Sequence, residues 1–161
     1  MLSEKSAEIY DGLSNSKEKL KINYISNFGG YEGDPYAVKD LLKKQLADSR
    51  RDDICNKMTT AGPHRDDLQI QIDSLSARTF GSQGQQRSAA LAMKLSEASI
   101  LRDRTGEEPV ILLDDVMSEL DENRQDYILN HISGKQVFIT CCDPTTVLRL
   151  CEGRTFHMEK G

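Results

Sequence analysis

The chain has 161 residues, of which 37% are hydrophobic, enough for a domain with a sizeable core. Its formal net charge of −5 excludes the broad basic surface by which many proteins bind nucleic acid through phosphates alone. The sequence has no apolar run of the roughly 20 residues that a membrane helix needs, so we expect neither a membrane span nor a secretory signal. The four cysteines lack the paired spacing of a zinc site, which indicates reduced thiols in a cytoplasmic protein.

The first part of the chain predicts a helix, a strand and a loop. Apolar residues at helical spacing predict a helix that ends near Gly12. Alternation from Leu20 to Tyr24 predicts a half-buried strand, and the turn-forming residues 27–35 predict a loop.

A second amphipathic helix follows this loop. Its inner face is expected to consist of Val38, Leu41, Leu42 and Leu46. Its outer face carries bases that suit contacts with phosphate, although interleaved aspartates equally fit a solvated face. These bases are Lys39, Lys43, Lys44, Arg50 and Arg51.

Residues 59–67 combine a turn with a dense cluster of ionisable side chains. The run from His64 to Asp66 is similar to the catalytic loop of protein kinases, but Gln71 stands where that motif requires Asn. The kinase interpretation therefore fails, and a structural turn fixed by an Arg–Asp pair is the alternative. The alternating residues that follow predict a strand over 68–72, and Arg78 to Phe80 predict a second strand that completes a hairpin.

The segment from Gly81 to Ser88 precedes a long helix with an apolar stripe. A glycine-rich turn with a hydroxyl and amides at a helix N-terminus is typical of an anion site, because backbone N–H groups and the helix dipole favour negative charge there. Ser82 is equally suited to cap the helix, with the glycines easing the turn. The residues alone leave both interpretations open.

The apolar run from Val110 to Leu113 is followed by two carboxylates, Asp114 and Asp115. This pattern predicts a strand buried on both faces within a parallel sheet. Carboxylates at the end of such a strand lie where open α/β sheets bind ligands. In a nucleotide-hydrolysing enzyme the first would hold Mg²⁺ and the second would orient the attacking water. An ordinary strand that ends in a solvated or capping aspartate is the alternative.

The last third of the chain predicts further strands and helices in alternation. Asp121 is expected to cap a helix, Val137 to Thr140 to form a buried strand, and Asp143-Pro144 to start a helix that ends near Gly153. Arg154 to Met158 predict a last strand. The short connections between these elements predict the right-handed crossovers of a parallel sheet.

Three motifs, taken together and in order, resemble the RecF family of bacterial ABC-type ATPases, which are related to the heads of SMC proteins. The motifs are Gly62-Pro63-His64-Arg65-Asp66-Asp67-Leu68, Ser82-Gln83-Gly84-Gln85-Gln86-Arg87-Ser88, and Leu112-Leu113-Asp114-Asp115 with Ser118-Glu119-Leu120-Asp121. The resemblance is strong over residues 59–143 and general over residues 1–58. It implies a protein that binds ATP and DNA. Such a protein would act in DNA replication, in recombinational repair of gapped DNA, at stalled forks and in the SOS response.

The resemblance also implies roles for individual residues. The ABC signature, which contacts the γ-phosphate of ATP held by the other subunit of a homodimer, would be Ser82, Gln83, Gly84, Gln85 and Gln86. Asp114 would be the Walker B ligand of Mg²⁺, and Asp115 the catalytic carboxylate. Ser118 to Asp121 would form the D-loop at the dimer interface. The switch position, often His in ABC ATPases, falls on Cys142 or Asp143, and a thiol cannot act as an imidazole does.

The sequence contains no Walker A loop, the Gly-x-x-x-x-Gly-Lys-Ser/Thr motif that cradles the β-phosphate. The RecF family carries this loop near the N-terminus, so the chain is expected to be the C-terminal half of such a protein. Residues 1–80 would belong to a mixed α+β arm (lobe II), and residues 81–161 to the parallel-sheet half of the α/β ATPase lobe. ATP and Mg²⁺ would bind the intact protein, and this piece alone is expected to bind neither and to be inactive.

The implied partners are a second copy, DNA as duplex or as single/double-strand junctions, and RecO- and RecR-type mediator proteins. One other function stays open, and a third is disfavoured. The chain also suits a stand-alone interaction module that dimerises without hydrolysis. Half of an SMC-type head would need a long heptad segment before the signature, and residues 1–80 contain none.

Overall fold

The structure, a computed structural model, describes residues 1–27, 35–142 and 153–158. Two compact units are present, one formed by Met1–Lys21 with Ile72–Gly161 and the other by Ile22–Gln71. The first half of the chain contains α1 (Leu2–Leu13), β1 (Leu20–Ile25), α2 (Pro35–Asn56), a 3₁₀ turn (Pro63–Arg65), β2 (Asp67–Ile72), β3 (Leu75–Ser76) and α3 (Ala77–Phe80). The second half contains α4 (Gln83–Thr105), β4 (Ile111–Asp114), a 3₁₀ turn (Met117–Glu119), α5 (Glu122–Ile132) and β5 (Val137–Thr140).

This mixed α/β architecture with a parallel strand pair confirms the predicted fold class. The two compact units do not divide at residue 80, because residues 1–21 belong with the second half of the chain. The assignment of residues 1–80 to an arm and of residues 81–161 to an ATPase lobe stays a prediction. None of the helices in the described ranges is long and apolar enough to cross a membrane.

In the first unit, α1 packs against α4. The inner face of α1 follows the helical spacing of its buried residues, which are Ser6, Ile9, Tyr10 and Leu13. The facing side of α4 is rich in small buried residues, namely Ser88, Ala89, Ala92 and Ser96. Small side chains allow two helix axes to approach closely, and Leu91 and Leu95 complete the apolar stripe of α4.

The close packing of α1 on α5 depends on the absence of a side chain at Gly12. A Cβ atom at Gly12 would lie 2.1 Å from the ring atom Cε2 of Tyr127, which is closer than any real carbon contact. The Tyr127 ring in turn stacks on His131, with the two ring centroids 5.9 Å apart. Gly12 is therefore required by packing and not by its backbone conformation.

The strands β1, β2 and β3 form a sheet in that order. A two-residue turn at Asp73 and Ser74, with φ values of 49° and 70°, joins β2 to β3 as in a tight hairpin. The predicted strand from Arg78 to Phe80 is wrong, because the tight turn starts the return strand earlier, at Leu75. Residues 77–80 instead form the helical turn α3, which the Gly81 N–H closes by donating to the carbonyl oxygen of Ala77 at 3.0 Å.

In the second unit, α2 is more exposed than its sequence predicts. Val38 and Leu42 are half-buried as expected, whereas Leu41 and Leu46 are exposed. The reason is that no other element of the described chain packs extensively along this helix. The predicted loop over residues 27–35 lies outside the described residues except at its two ends.

β4 and β5 pair in parallel, with Ile111 opposite Val137 and Asp114 opposite Thr140. Burial along β4 alternates, so Ile111 is buried whereas the side chain of Leu112 is 73% exposed. The predicted burial of this strand on both faces is therefore wrong. Only one face of the strand pair is covered within the part of the chain that the structure describes.

The predicted strand from Arg154 to Met158 is also wrong. Residues 154–158 have no regular structure, and their side chains are exposed. A strand is stable only as part of a ladder with a buried face, and this segment has neither. The helix predicted to start at Asp143-Pro144 lies outside the described residues.

Candidate nucleotide-binding site

α4 begins with a reciprocal cap between two residues of the proposed signature. The Ser82 Oγ accepts a hydrogen bond from the Gln85 N–H at 3.2 Å, and the Gln85 Oε1 accepts one from the Ser82 N–H at 2.8 Å. This arrangement is a capping box, and it confirms that Ser82 caps the helix. Gln86 supports the same turn, because its side-chain amide donates to the Gly81 carbonyl oxygen at 3.0 Å.

The cap leaves hydrogen-bond donors available at the start of α4. The N–H groups of Gln83 and Gly84 are the first two of the helix and have no partner within the described residues. Ser82 is exposed, and its Oγ uses a lone pair in the cap, so its hydroxyl proton is free to donate. An anion placed here would meet three donors and the positive end of a 23-residue helix. Capping and anion binding are therefore compatible.

Arg124 joins the proposed signature to the proposed D-loop. A Cβ atom at Gly84 would lie 3.1 Å from the Nη1 of Arg124, so a larger residue there would require the guanidinium to shift by a few tenths of an ångström. The same side chain lies 3.4 Å from the Asp121 carboxylate, measured from Nε to Oδ2. Asp121 also caps α5 as predicted, because its Oδ1 accepts from the Arg124 N–H at 3.1 Å. Sequence reasoning missed Arg124, which carries no motif of its own.

A polar chain connects the signature to the N-terminal helix. The Gln85 Nε2 donates to the Glu18 Oε1 at 2.8 Å, and the Tyr10 hydroxyl donates to the Glu18 Oε2 at 2.6 Å. Tyr10 is fully buried, and burial together with the neighbouring Glu18 carboxylate raises its pKa well above the usual range. The phenol therefore stays protonated as a donor at neutral pH. Neither Tyr10 nor Glu18 lies in a motif, so sequence reasoning missed both.

The two predicted Walker B acids lie at the end of β4, where Thr140 of β5 contacts both residues. The Thr140 hydroxyl donates to the Asp114 Oδ1 at 2.5 Å. The Asp115 N–H donates to the Thr140 carbonyl oxygen at 3.1 Å and lies 3.0 Å from the Thr140 Oγ1. Because Asp114 and Thr140 are opposite each other in a parallel pair, both end at the same edge of the sheet. That register is the signal by which Thr140 could have been found from the sequence.

Asp115 adopts a left-handed backbone conformation, with φ of 50°. This conformation is uncommon for residues other than glycine but is tolerated by Asp and Asn. It turns the chain sharply after β4, and the Ser118 hydroxyl supports the turn by donating to the Asp115 carbonyl oxygen at 2.9 Å. The Asp115 carboxylate is exposed and has no partner within the described residues. It is therefore free to hydrogen-bond a water or a ligand.

The oxygen atoms at this edge fit Mg²⁺ as part of a nucleotide complex. Mg²⁺ prefers oxygen ligands and is usually held by one or two carboxylates, water and substrate phosphates. The exposed Asp114 carboxylate offers such a ligand, oriented by Thr140. The described residues contain no cluster of three or more His, Cys, Asp or Glu that could hold a metal without a nucleotide.

The other predicted positions lie elsewhere. Cys142 follows β5 and is exposed, whereas Asp143 lies outside the described residues, so the identity of the switch residue stays open. The 59–67 cluster forms a structural turn in the second unit. There the Arg65 guanidinium donates to the Thr59 carbonyl oxygen, and the Asp66 carboxylate accepts from the Asn27 N–H and the Tyr24 hydroxyl.

Curated relatives identify the family, although no protein-family model matches the chain. The DNA replication and repair protein RecF of Clostridium acetobutylicum is 43% identical over 87% of this chain and 38% of that protein. The protein of the same name from Lactobacillus delbrueckii subsp. bulgaricus is 41% identical over 99% of this chain and 43% of its own length. The chain belongs to the RecF family. It spans about two fifths of the length of these RecF relatives.

Solved structures agree with this identification. A structure of the recombination mediator protein RecF-ATPrS in the RecFOR pathway matches 90% of this chain and 39% of its own, with a TM-score of 0.72 and 43% identity. The RecF-ATP structure of the same pathway matches 89% of this chain and 38% of its own, with a TM-score of 0.70 and 43% identity. These matches confirm the resemblance to the RecF family and the predicted fold class.

Proposed function

We propose that this chain contributes one half of each of two ATP sites in a RecF-type dimer that acts in DNA replication and repair. The loop from Ser82 to Gln86 would bind the γ-phosphate of ATP held by the partner subunit. Asp114 and Asp115 would act on ATP held by their own subunit. ATP would thereby join two copies around DNA, and its hydrolysis would release them.

One observation supports this division of roles above all others. The exposed start of α4 offers a hydroxyl and two backbone N–H groups that have no partner among the described residues, in a sequence that contains no Walker A loop. Three donors at a helix N-terminus suit the terminal phosphate of a nucleotide that another protein surface already holds. They are too few to bind a nucleotide tightly on their own.

The edge of the β4–β5 pair supports the hydrolytic role of the two acids. Asp114, oriented by Thr140, would hold Mg²⁺ directly or through water, and Mg²⁺ would neutralise charge on the phosphates when bound. The free Asp115 carboxylate would take the place of the usual ABC glutamate and orient the attacking water. The left-handed backbone at Asp115 supports this role because it projects that residue beyond the end of the strand.

The family supports DNA as the substrate on which the dimer acts. The matched structures carry the name of a recombination mediator protein in the RecFOR pathway, and RecO- and RecR-type proteins are the partners we propose. A protein that acts on the bacterial chromosome would lie in the cytoplasm. The net charge of −5 makes this chain alone a poor surface for DNA, so a dimer or its other segments would supply the basic contacts.

The experiment compares ATP-dependent dimerisation of a full-length RecF-family protein that carries these residues with that of its Ser82→Arg variant. Sedimentation velocity with ATP and Mg²⁺ should show a dimer for the parent and a monomer for Ser82→Arg, because the larger side chain fills the space of the γ-phosphate. Binding of ATP to the monomer should stay unchanged. Ser133→Arg, the same substitution at an exposed serine after α5, is the matched control and should dimerise. Normal dimerisation of Ser82→Arg would contradict the proposal.

A further inference from the structure

We propose that Glu18 is a positioning residue for the signature loop, a role that rests on the proposed function of that loop. Its carboxylate bridges two elements of the first unit that are distant in sequence. One oxygen accepts the Tyr10 hydroxyl of α1 at 2.6 Å, and the other accepts the Gln85 amide of α4 at 2.8 Å. No motif contains Glu18, and it contacts the signature through Gln85 and not through the three donors at Ser82, Gln83 and Gly84.

Both the oxygen and the nitrogen of the Gln85 side-chain amide form hydrogen bonds. Its Oε1 accepts from the Ser82 N–H at 2.8 Å, while its Nε2 donates to Glu18. In addition, its backbone N–H donates to the Ser82 Oγ. Gln85 therefore fixes both the backbone and the hydroxyl of Ser82, and it uses its Oε1 and one of its two amide hydrogens to do so. In this arrangement Gln85 supports Ser82, a role beyond the contact with ATP that the family resemblance implies.

Glu18 is itself held in place from several directions. The hydroxyl of Ser14 donates to the Glu18 carbonyl oxygen at 3.3 Å. The next residue, Lys19, exchanges two bonds with Asp73 of the β2–β3 turn, at 2.9 Å to the carboxylate and 3.0 Å from the Asp73 N–H. Tyr10 is fully buried in the contact between α1 and α4. A carboxylate fixed in this way presents a rigid acceptor to Gln85.

The chain of bonds has a clear consequence for the start of α4. Without the Glu18 acceptor, the half-buried Gln85 amide gains rotamer freedom and exchanges its partner for water, and the bond from Gln85 Oε1 to Ser82 weakens with it. The three donors of the signature then lose part of their fixed geometry. A hydrogen bond to a charged group commonly changes an equilibrium by about tenfold or more when it is removed, and the partial exposure of Glu18 favours the lower value.

The test uses a full-length RecF-family protein that carries these residues, with two binding measurements on each variant. Glu18→Ala should raise the ATP-dependent dimer dissociation constant by about tenfold and leave ATP binding to the monomer unchanged. Glu18→Gln should recover dimerisation, because its amide can accept from Gln85 and donate to the Tyr10 oxygen. Glu8→Ala, at an exposed acid of α1, is the matched control and should dimerise as the parent does. A merely structural Glu18 would instead lower monomer ATP binding and thermal stability together.

Two more variants keep the inference testable if Glu18→Ala folds poorly. Tyr10→Phe removes only the hydroxyl that fixes Glu18 and should weaken dimerisation by about threefold. Tyr10→Phe combined with Gln85→Ala should dimerise no worse than Gln85→Ala alone, because Tyr10 and Glu18 act through Gln85. Unchanged dimerisation of Glu18→Ala, or of Tyr10→Phe where the alanine variant does not fold, would overturn the inference.

Ser82→Arg in the same assay separates this inference from the proposed function. If Ser82→Arg abolishes dimerisation while the Glu18 and Tyr10 variants dimerise normally, the signature role stands and only the role of Glu18 is wrong. If Ser82→Arg dimerises normally, the proposed function fails, and the positioning role fails with it.

Discussion

The hydroxyl of Thr140 donates a hydrogen bond of 2.5 Å to the carboxylate of Asp114, across the carboxyl ends of two parallel strands. The same threonine also accepts the Asp115 N–H through its carbonyl oxygen. One side chain therefore orients the proposed magnesium ligand, and its backbone sets the position of the proposed water-orienting residue. Thr140 is thus the residue through which β5 supports the chemistry at the end of β4.

Replacing Thr140 by valine should lower ATP turnover in a full-length RecF-family protein by about tenfold, because Asp114 loses a charge-assisted hydrogen bond. Valine keeps the branched shape that suits a strand, so β5 should persist. Thr140→Ser, which keeps the hydroxyl, is the control and should retain most of the activity. Steady-state hydrolysis as a function of Mg²⁺ concentration measures both, and equal activity of the valine and serine variants would exclude this role for the hydroxyl.

Gly12→Ala should lower the free energy of unfolding by about 1–2 kcal/mol, because the added methyl group would overlap the Tyr127 ring. The sign is informative, since replacing a helical glycine by alanine normally stabilises a helix by about 1 kcal/mol. In a Tyr127→Ala background the overlap disappears, and Gly12→Ala should become neutral or stabilising. Urea unfolding of the four proteins measures this cycle. A stabilising Gly12→Ala with Tyr127 present would show that α1 does not pack on α5 in this way.

His131 should make the protein less stable as the pH falls below about 6.5, the ordinary histidine value. Burial, with a further effect of Lys135, lowers the pKa of His131 in the folded state. The unfolded chain therefore takes up the proton first as the pH falls, and stability is lost between 6.5 and the lower folded pKa. His131→Phe keeps the ring stacked on Tyr127 and should flatten the pH dependence of the urea midpoint in this window. His157→Phe, at an exposed histidine, is the control for the loss of a histidine ring, and an equal slope in the parent and in His131→Phe would contradict the assignment.

The open face of the β4–β5 pair should make the purified 161-residue chain self-associate. Leu112 and Phe138 are neighbours on this face, with 73% and 56% of their surfaces exposed. Adjacent exposed apolar side chains on a strand pair favour association. Replacing both by threonine, which suits strands, should reduce the apparent mass in light scattering. Phe156→Thr, at an exposed residue outside the sheet, is the control, and a strictly monomeric parent chain would contradict this prediction.

The sequence was sufficient to predict the elements that carry motifs. The cap at Ser82, the strand before Asp114 and the cap at Asp121 all depend on residues within a few positions of one another, and the structure forms each of them. Parallel pairing of β4 with β5 could also be predicted, because apolar strands separated by a short helix favour it.

The features that the sequence did not reveal depend on contacts between distant residues. Glu18 meets Gln85 across 67 positions, and only the packing of α1 on α4 brings them together. The exposure of Leu112 was missed for a related reason. An apolar side chain favours burial, but the sequence does not show whether another element covers it. The helical turn at residues 77–80 replaced a predicted strand because the tight turn at Asp73 and Ser74 shortened the hairpin.

The central claim, that the signature acts on ATP of the partner and the Walker B acids on their own, can be tested in a tandem dimer of two full-length copies joined by a flexible linker. One tandem carries Ser82→Arg in one copy and Asp115→Asn in the other, whereas the second tandem carries both substitutions in the same copy. Asn tolerates the left-handed backbone at residue 115, and loss of a well-placed catalytic group costs about 10²–10³ in rate, so each altered site should be inactive.

ATP turnover of the two tandems decides between the arrangements. If the two subunits share each site, both substitutions fall in one site of the first tandem and its other site is intact. The first tandem should therefore retain about half of the parent turnover. The second tandem has one substitution in each site and should be inactive. The reverse result, an inactive first tandem and a half-active second one, would show that each subunit uses its own signature and would contradict the claim.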